Sequence, residues 1–220
     1  MSIQTGFNEL DKIMGGLRPG EVTVVAGRPS MGKTAFCWSL AENIKNSGKS
    51  VRVIAQQRGY IGSFCPIIVD TYDYDNNLQP FDDVTYTIGV QQATGENYDV
   101  LIFTALLPVG SAEVEKLFRK LKSFAAEENI AVVVEAMVSK SVERGNTRRP
   151  ELKHLYFSKS ILKYADNILV VYRDAYYRAE ADGSVFEVIV AKNSIGSCGT
   201  AVLKFEVNEV QTTVYVPRIK

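Results

Sequence analysis

Near its N-terminal end the sequence reads Gly27-Arg28-Pro29-Ser30-Met31-Gly32-Lys33-Thr34. It fits G-x-x-x-x-G-K-[ST], the pattern of a phosphate-binding loop. Gly27 and Gly32 let the backbone turn tightly and come close to phosphate oxygens. The amides of the loop and of the next helix's first turn form an anion site. Lys33 reaches the outer phosphates, and the Thr34 hydroxyl is the candidate Mg²⁺ ligand. Arg28, Pro29, Ser30 and Met31 fill the loop and complete the candidate nucleotide-binding set. A pattern this short depends on its context. Glu21-Val22-Thr23-Val24-Val25-Ala26 reads as a buried strand before it, and Phe36, Leu40 and Ile44 give Thr34 to Lys45 a helical period. Strand, loop and helix follow in the order that phosphate binding needs.

The segments around the loop extend this pattern. Phe7, Leu10, Ile13 and Met14 predict a short helix that Gly15-Gly16 stops. Val51 to Ala55, Pro66 to Asp70, Val100 to Phe103, Ile130 to Val134 and Asn167 to Tyr172 are short apolar strands. Ser111 to Glu128 is an amphipathic helix, with Val114, Leu117, Phe118, Leu121 and Phe124 on one stripe and Ser111 able to cap it. Residues 72 to 98 are polar and mix loop with one short helix near 82 to 93; residues 138 to 160 read as loop. Apolar strands alternating with helices indicate a parallel sheet covered on both faces. Val185 to Ala191, Thr200 to Val207 and Thr212 to Val216 differ: they are strands joined by short turns, including Asp182-Gly183. The expected fold class is α/β, a mainly parallel sheet flanked by helices with an antiparallel C-terminal edge, in one domain over residues 1–220.

The bulk numbers set limits. A formal net charge of zero argues against a strongly basic nucleic-acid binder and leaves room for a local patch. Three cysteines imply no disulfide framework and fit reduced thiols in a cytoplasmic protein. The N-terminus lacks a signal pattern, and no run approaches the ~18 apolar residues of a membrane span.

Taken together, these segments resemble the RecA-like P-loop ATPase domain of DnaB-type replicative DNA helicases. Thr5-Gly6-Phe7-Asn8-Glu9-Leu10-Asp11 with Gly15-Gly16-Leu17 is similar to the family's opening T-G-F-x-x-L-D-x-x-x-G-G-L segment. Ala26 to Ala35 resembles its phosphate loop, including the Arg-Pro-Ser-Met insert. Ser139 to Arg144 with Arg149-Pro150, and Ala165-Asp166 leading to Tyr172-Arg173-Asp174-Ala175-Tyr176-Tyr177, are similar to later family segments. Val190 to Asn193 and Gly199-Thr200 match its last strand pair in part. The resemblance implies ATP or ADP and Mg²⁺ as ligands, single-stranded DNA as a partner, and either a homo-oligomer or a complex with replication proteins.

The departures fall where the family does chemistry. Gln57 stands at the position of its catalytic Glu, and a glutamine cannot take a proton from water. Thr104 stands at its metal-side Asp, Met137 at a sensor Gln and Ser194 at the arginine finger, while Lys192 is retained. Only Arg58 to Cys65 joins the second and third strands, where the family has a longer helical block. The family's N-terminal domain and docking linker helix are not in the sequence, so weaker self-association is expected. The family's DNA-contacting loop corresponds to His154 to Lys159, where Lys153, Lys159 and Lys163 surround Tyr156 and Phe157. Such a loop either holds single-stranded nucleic acid by stacking and charge or packs its aromatics inward.

Some residues have two readings. Glu135 is either a displaced catalytic carboxylate or an ordinary strand-end charge; Asp70 and Asp73 are near Mg²⁺ or merely solvated. Tyr176-Tyr177 stacks on adenine, lies at a subunit boundary or simply packs. Cys37 reads as core, and His154 as an incidental surface side chain. The expected function is an ATP-binding domain with impaired catalysis, acting in DNA replication or as an assembly or regulatory partner on DNA. The alternatives are an active helicase or translocase subunit and a purely structural subunit whose phosphate loop is a relic.

Overall fold

In the computed structural model the described residues are 1–55, 68–71, 97–104, 110–207 and 212–215. The helix expected near 82–93, and positions Gln57 and Asp73, lie outside them. The described strands form one sheet in the order β3-β2-β4-β5-β1-β6-β7-β8-β9. These are β1 (Val22–Gly27), β2 (Val51–Ala55), β3 (Ile68–Thr71), β4 (Val100–Phe103), β5 (Ala131–Met137), β6 (Asn167–Tyr172), β7 (Val185–Lys192), β8 (Gly199–Val207) and β9 (Thr212–Tyr215). Pairing is parallel from β3 through β6 and antiparallel from β6 to β9, as the change in sequence character predicts. The phosphate-loop strand β1 lies between β5 and β6, the buried centre of the parallel part.

Alternation along the strands sorts the core into two layers. Val25, Val133, Leu169 and Val171 face α1 (Asn8–Met14) and α2 (Lys33–Asn46), whereas Val24, Ala26, Val132 and Val170 face α3 (Ser111–Glu128) and α4 (Ser158–Tyr164). Rings run through the first layer as a stack: Phe7 on Phe36 at 5.2 Å, Phe36 on Phe186 at 6.1 Å, Phe186 on Phe205 at 5.6 Å. The column ties the N-terminal helix, α2 and the antiparallel strands together, with offset stacking adding to area burial.

The N-terminal segment has a local reason. Asp11 accepts hydrogen bonds from the Thr5 amide and hydroxyl, both at 2.8 Å, and from the Gly6 amide at 3.2 Å. Gly6 has φ +78, and a side chain there would meet Asn43 of α2 at 2.6 Å. Thus Thr5, Gly6 and Asp11 seat α1 against α2.

Two local expectations change. Ser111 opens α3 as its first helical residue; Gly110 holds the cap position in an extended conformation, with no side-chain cap. The stretch expected to be loop over 138–160 contains 3₁₀ turns at Lys140–Arg144 and Leu152–His154 and the start of α4.

Candidate functional site

Gly27 ends β1 and Gly32 opens α2, so the loop connects a buried strand to a helix N-terminus. Both glycines have steric causes. A Cβ on Gly27 would stand 2.7 Å from Val171. Gly32 has φ +92, and a Cβ there would strike Phe205 at 2.8 Å and Phe186 at 2.9 Å. The aromatic column is therefore the surface on which the loop rests. Met31 is buried, Pro29 and Ser30 are exposed, and Ser30 has φ 62. Arg28 Nε donates to Glu143 at 2.9 Å and Arg28 Nη1 to the Val138 carbonyl at 3.2 Å, tying the loop to the segment after β5.

Lys33 is buried, with Nζ donating to the Arg28 carbonyl at 3.2 Å. Burial lowers its pKa below the ordinary lysine value, and the nearby Glu135 carboxylate partly opposes that. Thr34 Oγ1 donates to Glu135 Oε2 at 3.2 Å. Glu135 is 5% exposed and lies within β5, opposite Val25. Its place near the C-terminal end of a parallel strand marks Glu135 in the sequence as either a displaced carboxylate or a strand-end charge; its contact with Thr34 is what the sequence does not reveal. Cys37 is buried as expected, and burial first, then Glu135, raises its thiol well above the ordinary range.

Thr104 follows β4 and is buried; its amide donates to the Ile54 carbonyl at 2.9 Å, and its hydroxyl lies 3.4 Å from the same oxygen. Asp70 falls on β3 in register with Ile54. Met137 ends β5, beside Gly27 in register.

Lys192 and Ser194 stand at the other end of the sheet. Lys192 pairs with Ile168, near the start of β6, and its Nζ donates to the carbonyls of Leu162 and Ala165 at the end of α4. Ser194 Oγ donates to Glu21 at 3.1 Å. Neither side chain faces its own phosphate loop.

The aromatic loop crosses the end of β5, where the Tyr156 amide donates to the Met137 carbonyl at 3.0 Å. Tyr156 is 46% exposed, whereas Phe157 is half-buried, packs against the second core layer and has φ 53. Lys153 pairs with Glu151 at 2.9 Å and Lys163 with Glu115 at 2.8 Å, which offsets part of the basic character; Lys159 is exposed. His154 Nδ1 accepts from the Glu151 amide at 3.0 Å. Tyr176 is exposed and meets Tyr177 edge-on, while Tyr177 stacks on Tyr172.

This arrangement has known counterparts. One solved structure, described as an ATPase domain, superposes with a TM-score of 0.81 at 24% identity, covering 97% of this chain and 91% of that one. A structure described as a DnaB-like replicative helicase and its interactions with primase gives 0.79 at 21% identity, covering 97% of this chain and 62% of that one. Both share the RecA-like fold of DnaB ATPase domains. In sequence, the replicative DNA helicase DnaB of Geobacillus stearothermophilus is 29% identical, over 92% of this chain and 54% of the relative. A probable replicative DNA helicase of Trieres chinensis is 27% identical, over 97% and 57%. A probable plasmid replicative DNA helicase of Chlamydia psittaci is 30% identical, over 92% and 53%. The chain thus spans about half the length of these curated relatives. The family model for the DnaB-like helicase C terminal domain matches residues 2–58 and 109–213, most of the chain and all of the phosphate loop. The chain belongs to the DnaB-like helicase C-terminal domain family.

Proposed function

We propose that this domain binds ATP and ADP with Mg²⁺ through Gly27 to Thr34 and hydrolyses ATP slowly. It acts in DNA replication or as an assembly or regulatory partner on single-stranded DNA, alongside replication proteins or further copies of itself, in the cytoplasm. No helix among the described residues is long and apolar enough to cross a membrane.

The observation that carries the reading is an intact phosphate loop alongside altered residues at the positions the family uses for catalysis. The loop keeps each part that holds phosphate: two glycines with steric cause, a lysine and a threonine at a helix N-terminus. At the family's metal-side acid position stands Thr104, its hydroxyl turned toward the Ile54 carbonyl. Gln57 and Ser194 are likewise non-acidic and non-basic replacements. Binding phosphate and activating water are separate tasks, and only the first is fully equipped.

Calorimetric titration with ADP and ATP, followed by steady-state ATPase with and without single-stranded DNA, tests the proposal. Binding with slow turnover supports it, and no binding at millimolar nucleotide rejects it. A second reading, an active ATP-driven helicase subunit, is favoured by the buried Glu135 carboxylate on Thr34. Fast turnover would select that reading.

A further inference from the structure

Glu135 is a carboxylate in an unusual place. Its strand neighbours Val133, Val134 and Ala136 are apolar, and only 5% of its surface is exposed. Removing a charge from water is costly unless opposite charge and hydrogen bonds compensate. Two neighbours supply part of that compensation: the Thr34 hydroxyl donates to Oε2 at 3.2 Å, and Lys33 is close enough to be influenced by the carboxylate. The carboxylate and the Thr34 hydroxyl thus sit together at the mouth of an anion-binding loop.

Mg²⁺ that accompanies nucleotide is held by phosphates, waters and one or two carboxylates. Among the described residues, no group of three His, Cys, Asp or Glu side chains could hold a metal on its own. A metal would therefore arrive with the phosphates and need a single protein carboxylate beside them. The end of β4 does not supply it, because Thr104 stands there. The next strand, β5, carries Glu135, one position nearer β1 in the sheet order.

We propose that Glu135 is the metal-side carboxylate of this domain, holding nucleotide-bound Mg²⁺ together with Thr34. The inference rests on the nucleotide-binding reading. The carboxylate would then come from β5 rather than β4, at the position in register with Val25, whose side chain belongs to the core layer of α2.

The test is ADP affinity by calorimetry in EDTA and in Mg²⁺, for the wild-type chain and for Glu135→Gln. Wild type should bind ADP about tenfold or more tighter in Mg²⁺ than in EDTA, and E135Q should lose most of that ratio, whatever its own affinity in EDTA. An equal Mg²⁺ gain in both chains overturns the proposal. Absence of ADP binding by wild type in either buffer overturns the nucleotide-binding reading itself, and this one with it. If thermal unfolding shows that E135Q does not fold, wild type alone carries the test. With Mn²⁺ and ADP bound and glutamate carboxyl carbons labelled with ¹³C, pulsed EPR should show the metal coupled to a labelled carbon; no coupling overturns the assignment.

Discussion

Arg28 and Glu143 meet across the site at 2.8 Å, joining the phosphate loop to the turn that follows β5. Both side chains are largely shielded from solvent, so the pair is better placed than an exposed ion pair. Glu143→Ala should cost about 1–2 kcal/mol of stability, because the Arg28 charge loses its hydrogen-bonded partner. Nucleotide affinity should fall as well, since the loop loses one of its side-chain ties to the segment after β5. Chemical denaturation and ADP titration of the same variant check both effects.

Gly32→Ala should be more damaging. The residue sits at φ +92, and the new methyl would meet the rings of Phe186 and Phe205. Left-handed backbone at a non-glycine costs roughly 1–3 kcal/mol before any clash is counted. The expected outcome is a lower melting temperature together with loss of nucleotide binding. A Gly48→Ala control, also at positive φ but with open space around it, should lose stability and keep nucleotide binding.

At the aromatic loop, the two rings should respond differently. Tyr156→Ala removes a roughly half-exposed side chain and should weaken single-stranded DNA binding at modest cost in stability. A stacked base contributes ~1–3 kcal/mol where it has been measured by alanine substitution. Phe157→Ala should weaken stability too, because that ring packs on the core. Fluorescence anisotropy with a labelled oligonucleotide, at two salt concentrations, reads the binding. Unchanged affinity in both variants would assign the loop to packing alone.

Turnover should be slow and recoverable in steps. A missing general base costs ~10²–10⁴-fold and a missing arginine finger ~10³–10⁵-fold where these have been measured. Gln57→Glu and Ser194→Arg should each raise ATPase above wild type, the second only under conditions where copies assemble. Wild-type turnover near the ~10 s⁻¹ median of enzymes would reject impaired catalysis.

Tyr172 gives a pH signature. Burial, then the hydrogen bond it donates to Asp174 at 2.8 Å, raises its phenol from 10.0 to about 12. A group with a raised value stabilises the fold fully below its unfolded value, and that contribution is lost as pH rises through the folded value. Stability should therefore drop between about 10 and 12. Tyr172→Phe should flatten that limb and remove a late tyrosinate step from an alkaline absorbance titration.

The phosphate loop, the parallel centre and the antiparallel edge were legible because each has a local signature: glycine spacing, apolar runs, and strands separated by short turns. Glu135 was not legible as a neighbour of Thr34. The two residues meet only because β5 pairs with β1 in a register that puts Glu135 opposite Val25. No local pattern encodes that register. The helix α4 was missed for another reason: its seven residues contain a single well-buried apolar side chain, Ile161, too few to set a period. Ser111 has the chemistry of a cap, but the extended Gly110 takes that position. Lys192 matches a family position in sequence, yet its ammonium is spent on the last carbonyls of α4.

The rings beneath Gly32 also bear on synthesis. Residues 27–34 emerge early, while Phe186 and Phe205 follow more than 150 positions later. A nascent chain stopped before β8 carries the whole loop sequence without the second ring of its support. Domains fold as units during translation, so this loop acquires its floor only when the C-terminal strands leave the ribosome. On the nucleotide-binding reading proposed above, a chain ending before β8 should therefore fail to bind ATP.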